Sequence, residues 1–307
     1  MRPGLLAAIV LLFSIVEPRF RTLDNALNIL LQISMEALIA CGMTMVILAG
    51  GLDLSVGATA ALSGVIFVLT CGGGLVFAGA CALLAGLVAG LVNALLIARA
   101  GLNPIMVTLG AMASLQGVAL WLSRGYPIPG PGGYFEMLGG GFFCYIPLPI
   151  IYSAVILLAC GALLRRTQFG RDLYALGGSR QASRIADIPV IRTESAAYCM
   201  SGLLAAFSGM VMASRLNTGS PIVGQDAPLE AIVAVVLGGA SLSGGKGGIP
   251  QTVLGLTLVC ALSNGLNLMN VAPVSQWGIK GGVLIAFSAL EAAGPLTGYF
   301  RSTRRIA

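Results

Sequence analysis

Long apolar runs dominate the chain, and polar positions fall in a few short clusters between them. The stretches 28–49, 75–98, 148–164, 195–214 and 252–268 are almost uncharged. A helix needs about 20 mostly apolar residues to cross a bilayer, and several of these runs reach that length. Ten crossings are predicted: 4–16, 27–49, 55–70, 75–98, 103–122, 147–164, 193–214, 229–243, 250–270 and 274–292. The short runs 55–70 and 229–243 also suit re-entrant segments, which gives a range of eight to ten. The alternation that an outer-membrane barrel requires is absent. The expected fold is therefore all-α, a polytopic helical bundle forming a single transmembrane domain over residues 1–307.

Composition agrees with this pattern and adds an orientation. Of 307 residues, 57% are hydrophobic and 9% charged, where a soluble chain carries about 25% charge. The net charge of +6 is concentrated at Arg165, Arg166, Arg171, Arg180, Arg184 and Arg192, and again at Arg301, Arg304 and Arg305. Lys- and Arg-rich loops stay cytoplasmic. The loop 165–192 and both termini are thus expected inside the cell, and orientation explains the charge better than nucleic acid does. Arg2 and the run 5–16 resemble a signal peptide, but Glu17-Pro18-Arg19-Phe20 is no small-x-small cleavage site, so a retained first helix is expected. The loop 123–146, rich in Gly, Pro and aromatics, is expected on the extracytoplasmic face as an interfacial belt. The seven cysteines form no CxxC and read as small hydrophobes. Histidine is missing altogether, which removes His-based catalysis and His-led metal sites.

Two glycine-rich breaks interrupt the apolar background. Gly50 to Gly57 reads GGLDLSVG, and Gly238 to Gly245 reads GGASLSGG followed by Lys246. Helix breaks are expected at Gly50, Gly51, Gly238, Gly239, Gly244 and Gly245. Irregular backbone persists in lipid only where protein buries it or where it lines a wet cavity, so two such breaks suggest a transport path between repeats. Close packing of small residues is the plainer reading, although Asp53 and Lys246 are costly for packing alone. A weak repeat, 27–122 against 229–292, pairs Asn93 with Asn264 and Asn103-Pro104 with Ala272-Pro273. The second break is not a phosphate loop: Ala240 stands where a Walker A motif needs Gly, and Gly247 follows Lys246. This chain is not expected to hydrolyse ATP.

Glu36 lies in mid-run, with Gln32 on the same helical face at i−4. A carboxylate at bilayer depth must be solvated or paired. Gln32, Glu36, Asp53, Ser55, Asn93, Asn264 and Asn267 are the candidates for a polar pathway lining, with interhelical hydrogen bonds as the alternative. In the basic loop, Ser179 is expected to cap a short helix running through Asp187, after a flexible Gly177-Gly178 and before Pro189. Arg171, Asp172, Ser179, Arg180, Arg184 and Asp187 are candidates for docking to a partner. A merely solvated, topogenic loop is the alternative.

The segments GMTMVILAGGLDLSVGA, GRDLYALGGSRQASRIADIPV and LEAIVAVVLGGASLSGGKGG with GLNLMNV resemble the permease subunits of ribose-type ABC sugar importers. The resemblance runs from Asn28 to Leu290. It implies a multi-pass subunit of the bacterial inner membrane that pairs with a second copy or a paralogue. It also implies a separate ABC ATPase subunit, engaged through Gly170–Ile188, and a periplasmic or extracellular sugar-binding protein. No cofactor or metal is then expected in this chain, since ATP and magnesium would belong to the ATPase. Permeases for nucleosides, branched-chain amino acids and a sugar-like signal share much of the pattern. A stand-alone secondary transporter or channel is the rival from another class, although no acidic pair suggests a coupling-ion site.

Overall fold

The computed structural model describes residues 2–272, 274–283 and 285. Apolar runs and caps together set the helix limits. α1 (Arg2–Val16) leads through a 3-10 turn to Thr22, whose hydroxyl accepts from the Asn25 amide at 3.3 Å and starts α2 (Leu23–Leu48). α3 (Val56–Thr70), α4 (Leu75–Ala94, extended by a π-turn to Arg99) and α5 (Pro104–Leu122) follow. Asn103 caps α5 by accepting from the Ile105 amide at 2.9 Å, with Pro104 in the first turn where a missing N–H costs nothing. The loop beyond α5 holds β1 (Ile128–Pro129), the single turn α6 (Met137–Gly140), β2 (Phe142–Phe143) and β3 (Ile146–Pro147). Then come α7 (Leu148–Arg166), α8 (Gln168–Gly178), α9 (Arg180–Ile185), α10 (Val190–Leu216), β4 (Thr218–Gly219), α11 (Ala227–Gly238) and α12 (Ile249–Leu268). A further helical stretch covers 274–283.

Among the described residues, seven helices are long and apolar enough to cross a membrane: α2, α3 with its terminal 3-10 turn, α4, α5, α7, α10 and α12. α1 and α11 are shorter apolar helices. The expected crossing at 274–292 is described only in part, and Arg301, Arg304 and Arg305 lie outside the described residues. The chain is a multi-pass helical membrane protein.

α10 is the axis of the bundle, packed against α2, α3 and α4. Lipid gives no hydrophobic drive for helix association, so contact depends on close approach of small residues. Gly42 sits on Ser201, Gly64 on the carbonyl of Gly209, and Gly86 on the Gly202 carbonyl and Ala206. The loop after α5 closes one end of the bundle. Ser214 of α10 donates to the Phe135 carbonyl at 2.5 Å and accepts from the Gly139 amide at 2.7 Å, while Phe135 stacks on Phe67 with centroids 4.9 Å apart. β1 pairs with β4 through Ile128 and Gly219.

The expected span 229–243 has a different form. α11 has only 12 residues, about 18 Å of helix against a hydrocarbon core of about 30 Å. The missing length comes from irregular backbone before it. From Asn217, in the left-handed region at φ 46°, the chain passes through β4 and turns at Gly224, φ 78°. A Cβ at Gly57 would strike the Gly224 carbonyl, so this segment lies against the start of α3. Pairings give the depth. α2 runs beside α12, with Glu36 bonded to Cys260 and Thr44 to Thr252, while Ala234 and Gly238 of α11 touch Gly255 and Gln251. α11 therefore begins near the middle of α2 and ends near its C-terminus. This crossing is discontinuous, a two-residue strand and turns in one half and helix in the other.

Packing at the axis should reverse the usual sign of a Gly→Ala change. A methyl at Gly86 meets Ala206 and the Gly202 carbonyl, whereas one at Gly110 meets nothing within 4 Å. Gly86→Ala should cost about 1–3 kcal/mol in detergent unfolding titrations, while Gly110→Ala should be neutral or stabilise by up to about 1 kcal/mol. Equal effects at the two positions would contradict the axial packing.

Candidate functional site

Three backbones meet where α2 ends. Leu48 is its last residue, and Gly50 turns the chain at φ 84°. The second break is a compact loop between α11 and α12: Gly239 ends α11 at φ 118°, and the Ser241 amide donates to the Lys246 carbonyl at 2.9 Å. The two breaks are joined directly by the Gly245 amide, which donates to the Leu48 carbonyl at 3.0 Å. A Cβ on Gly244 would lie 3.0 Å from the Cα of Gly50 and 2.8 Å from the Gly177 carbonyl. α8 is the third member. A Cβ on Gly177 would collide with the Leu48 carbonyl and the Gly245 amide, and the Tyr174 hydroxyl donates to the Gly247 carbonyl at 2.8 Å. Burial pushes the Tyr174 phenol above its ordinary value, with Arg165 pulling the other way, so it remains a donor at neutral pH.

Local chemistry explains how α8 reaches this junction. Thr167 caps it by accepting from the Gly170 amide at 3.3 Å, and Gly170, Leu173 and Leu176 form its buried stripe. Of the expected flexible Gly177-Gly178, Gly177 is packed against the Leu48 carbonyl and the Gly245 amide at the end of α8, while Gly178 is exposed with open space where a Cβ would lie. Ser179 caps α9 as expected, accepting from the Ala182 amide at 3.2 Å. α9 stops at Ile185 rather than Asp187, which adopts φ 56°. Arg171, Arg184, Ile185 and Asp187 project outwards and Asp172 is half-buried. Arg180 turns inwards: its guanidinium donates to both oxygens of the buried Glu194 carboxylate, at 3.0 and 2.7 Å, and ties α9 to α10.

Asp53 and Ser55 of the first break form a buried knot with Asn93. Asp53 is 1% exposed. It accepts from the Ser55 amide at 3.1 Å, the Ser55 hydroxyl at 2.6 Å and, on its other oxygen, the Ser201 hydroxyl at 2.8 Å. Asn93 donates to the Ser55 hydroxyl at 2.9 Å. The knot joins the break to α4 and α10. Asn264 exchanges two 2.9 Å bonds with Asn25, and Asn267 accepts from Gln276 at 2.7 Å. The echoing asparagines are not equivalent in place: Asn264 lies on the helix directly after its break, and Asn93 one helix later.

Gln32 and Glu36 lie elsewhere, on a cavity of about 300 Å³ between α2 and the discontinuous crossing. Gln32 donates to one Glu36 oxygen at 3.2 Å, and the Cys260 thiol to the other at 3.3 Å. Asp226 and Glu230 share the cavity, and Glu230 accepts from Lys280 at 2.7 Å. The sequence reading missed both acids and Lys280. Each is a lone charge at the edge of or within an apolar run, the same signal that singled out Glu36.

The seven candidates thus separate into a buried knot in which the Asn93 Oδ1 alone has no partner, a set of interhelical bonds and a polar cavity. If the knot holds the break in place, Asp53→Ala should lower stability by about 3 kcal/mol, and Ser201→Ala by about 1 kcal/mol. Both are read by unfolding the purified protein. Unchanged stability in Asp53→Ala would contradict the knot.

Known proteins supply the context for this arrangement. Residues 25–288 match the family model described as branched-chain amino acid transport system / permease component. The ribose import permease protein RbsC of Bacillus subtilis is 41% identical over 292 residues, covering 92% of this chain and 89% of that protein. RbsC of Escherichia coli K12 is 36% identical over 286 residues, covering 91% and 89%. The L-arabinose transport system permease protein AraH of the same strain is 36% identical over 294 residues, covering 92% and 88%. With its helical bundle, paired breaks and these relatives, the chain belongs to the family of ABC-importer permease components.

Proposed function

We propose that this chain is the membrane permease of a binding-protein-dependent ABC importer for a monosaccharide of the pentose class. Its relatives are permeases for ribose and L-arabinose, matched across about nine tenths of the chain. The permease works as a pair, with a second copy or a paralogue, on two ATPase subunits and beneath an extracytoplasmic sugar-binding protein. The bundle end that carries α8 and α9 faces the cytoplasm, as do both termini. No bond is made or broken here; ATP and magnesium act on the ATPase.

The contact of α8 with both breaks is the observation that carries this reading. Closure of the ATPase pair displaces α8 through Arg171 and α9 through Arg184, Ile185 and the adjoining Asp187. Arg180 passes that displacement to α10 through Glu194. Gly177 and Tyr174 pass it to the breaks. Two packings of the bundle then exchange, biased by nucleotide on one side and the loaded binding protein on the other. A stand-alone transporter needs no such linkage.

The test is reconstitution. The tagged chain should purify from its native membrane with an ATPase, and vesicles holding the complex should take up pentose only with ATP and the binding protein. Uptake by this chain alone, without ATP, would overturn the proposal. Within the complex, Gly177→Val should leave assembly intact but lower transport per ATP at least about tenfold, the equivalent of about 1.4 kcal/mol. Arg184→Glu combined with Asp187→Lys should weaken ATPase association. Wild-type uptake in both variants would remove α8 and α9 from the coupling path.

A further inference from the structure

The cavity beside the discontinuous crossing is unlike the rest of the bundle. Its polar members are Gln32 and Glu36 of α2 and Gln225, Asp226 and Glu230 at the start of α11. Three carboxylates and two amides around one space, in a chain only 9% charged, are expensive unless something wet or polar is meant to stand there. The backbone supports the same conclusion. Ile222, Gly224, Gln225 and Asp226 enter the bundle unwound and line this space, and irregular backbone at such depth requires either burial or a wet cavity.

The lining also says what fits. Glu36, Asp226 and Glu230 line the cavity with no Lys or Arg among the described lining residues, and the neighbouring Lys280 is already engaged by Glu230 at 2.7 Å, so the field repels anions. The zwitterion of an amino acid would find no unengaged cation for its carboxylate among these groups. A neutral polyol meets complementary chemistry on every side. Its hydroxyls donate to carboxylates and accept from the Gln32 and Gln225 amides, while Met35 and Ile39 offer an apolar surface to ring C–H groups. The volume of about 300 Å³ is at the small end of ligand sites, which run from roughly 300 to 1,000 Å³. A second chamber of about 180 Å³ shares Asp226 and Glu230 and has Trp277 on its wall. The Glu230–Lys280 ion pair therefore stands where the two chambers adjoin.

We propose that the permease carries its own monosaccharide-binding site in this cavity, a transit site formed by Gln32, Glu36, Gln225, Asp226 and Glu230 that screens the sugar after the binding protein releases it. The proposal rests on the sugar-importer reading above and adds a second point of selection inside the membrane.

The experiment has two arms. Equilibrium binding of radiolabelled D-ribose and L-arabinose is measured on the purified permease–ATPase complex without binding protein, with L-leucine as competitor. Saturable binding of one of the sugars is expected, unaffected by L-leucine and weakened at least about tenfold by Glu36→Gln and by Glu230→Gln. In the second arm, ATP-driven uptake by the full system is compared for the two sugars. Both variants should shift the ratio of kcat/KM between ribose and arabinose, which a purely structural role would leave unchanged even where uptake falls. Absence of saturable sugar binding to the wild type, displacement of sugar by L-leucine, or an unchanged ratio in both variants would each overturn the site. If the site alone is wrong, wild-type uptake still requires ATP and the binding protein; if the importer reading is wrong, that requirement disappears.

Discussion

The hydrogen bond from the Gly245 amide to the Leu48 carbonyl, with Gly177 pressed against both groups, is the contact on which the remaining architecture depends. It joins two helix breaks nearly two hundred residues apart and places the end of α8 in the same joint. Main-chain contact at this distance leaves no side chain to compress or rotate, so displacement of one member displaces the others. Close-packed interiors transmit strain instead of absorbing it. That property suits a part whose proposed task is to carry motion from an ATPase to a membrane pathway, and it makes glycine a requirement at Gly177.

Polar groups inside the bundle follow two regimes. Around Asp53 the donors are matched to the acceptor: both carboxylate oxygens are bonded, and the group is enclosed by α10 and the break. Such a knot rigidifies and specifies one arrangement. Around Glu36 and Glu230 the balance differs, with several acceptors, one cation and open volume. The first regime fixes where the breaks lie. The second leaves capacity for a guest with hydroxyl groups, and it occurs where the chain crosses as irregular turns followed by a short helix. Discontinuous crossings of this kind place substrate sites near the midplane in other transporters.

Much of this was legible in the sequence, and the limits have physical reasons. Apolar length located the long helices, and glycine density located both breaks, because each signal is local. Ser179 was identified as a cap because capping needs only neighbouring residues. The path into α11 was not legible: its apolar run continues into the second break, so hydropathy extends the helix at one end and says nothing of the unwound 217–226 at the other. Arg180 counted as a docking charge because its partner Glu194 lies on the next helix, fourteen residues away. The Asn93–Asn264 echo matched residues but not places, since sequence similarity does not record how many helices follow a break. Glu230 could have been found by the same reasoning that found Glu36; Lys280 needed only the observation that a lone cation in an apolar run must have an anion nearby.

The central claim is that α8 and the two breaks move as one body. Hydrogen exchange read by mass spectrometry addresses it directly, comparing the assembled transporter in lipid discs without nucleotide and trapped with vanadate. The account predicts that peptides covering 45–55 and 240–248 change protection together with 168–185. A change confined to 168–185, with both breaks unaltered, would contradict it.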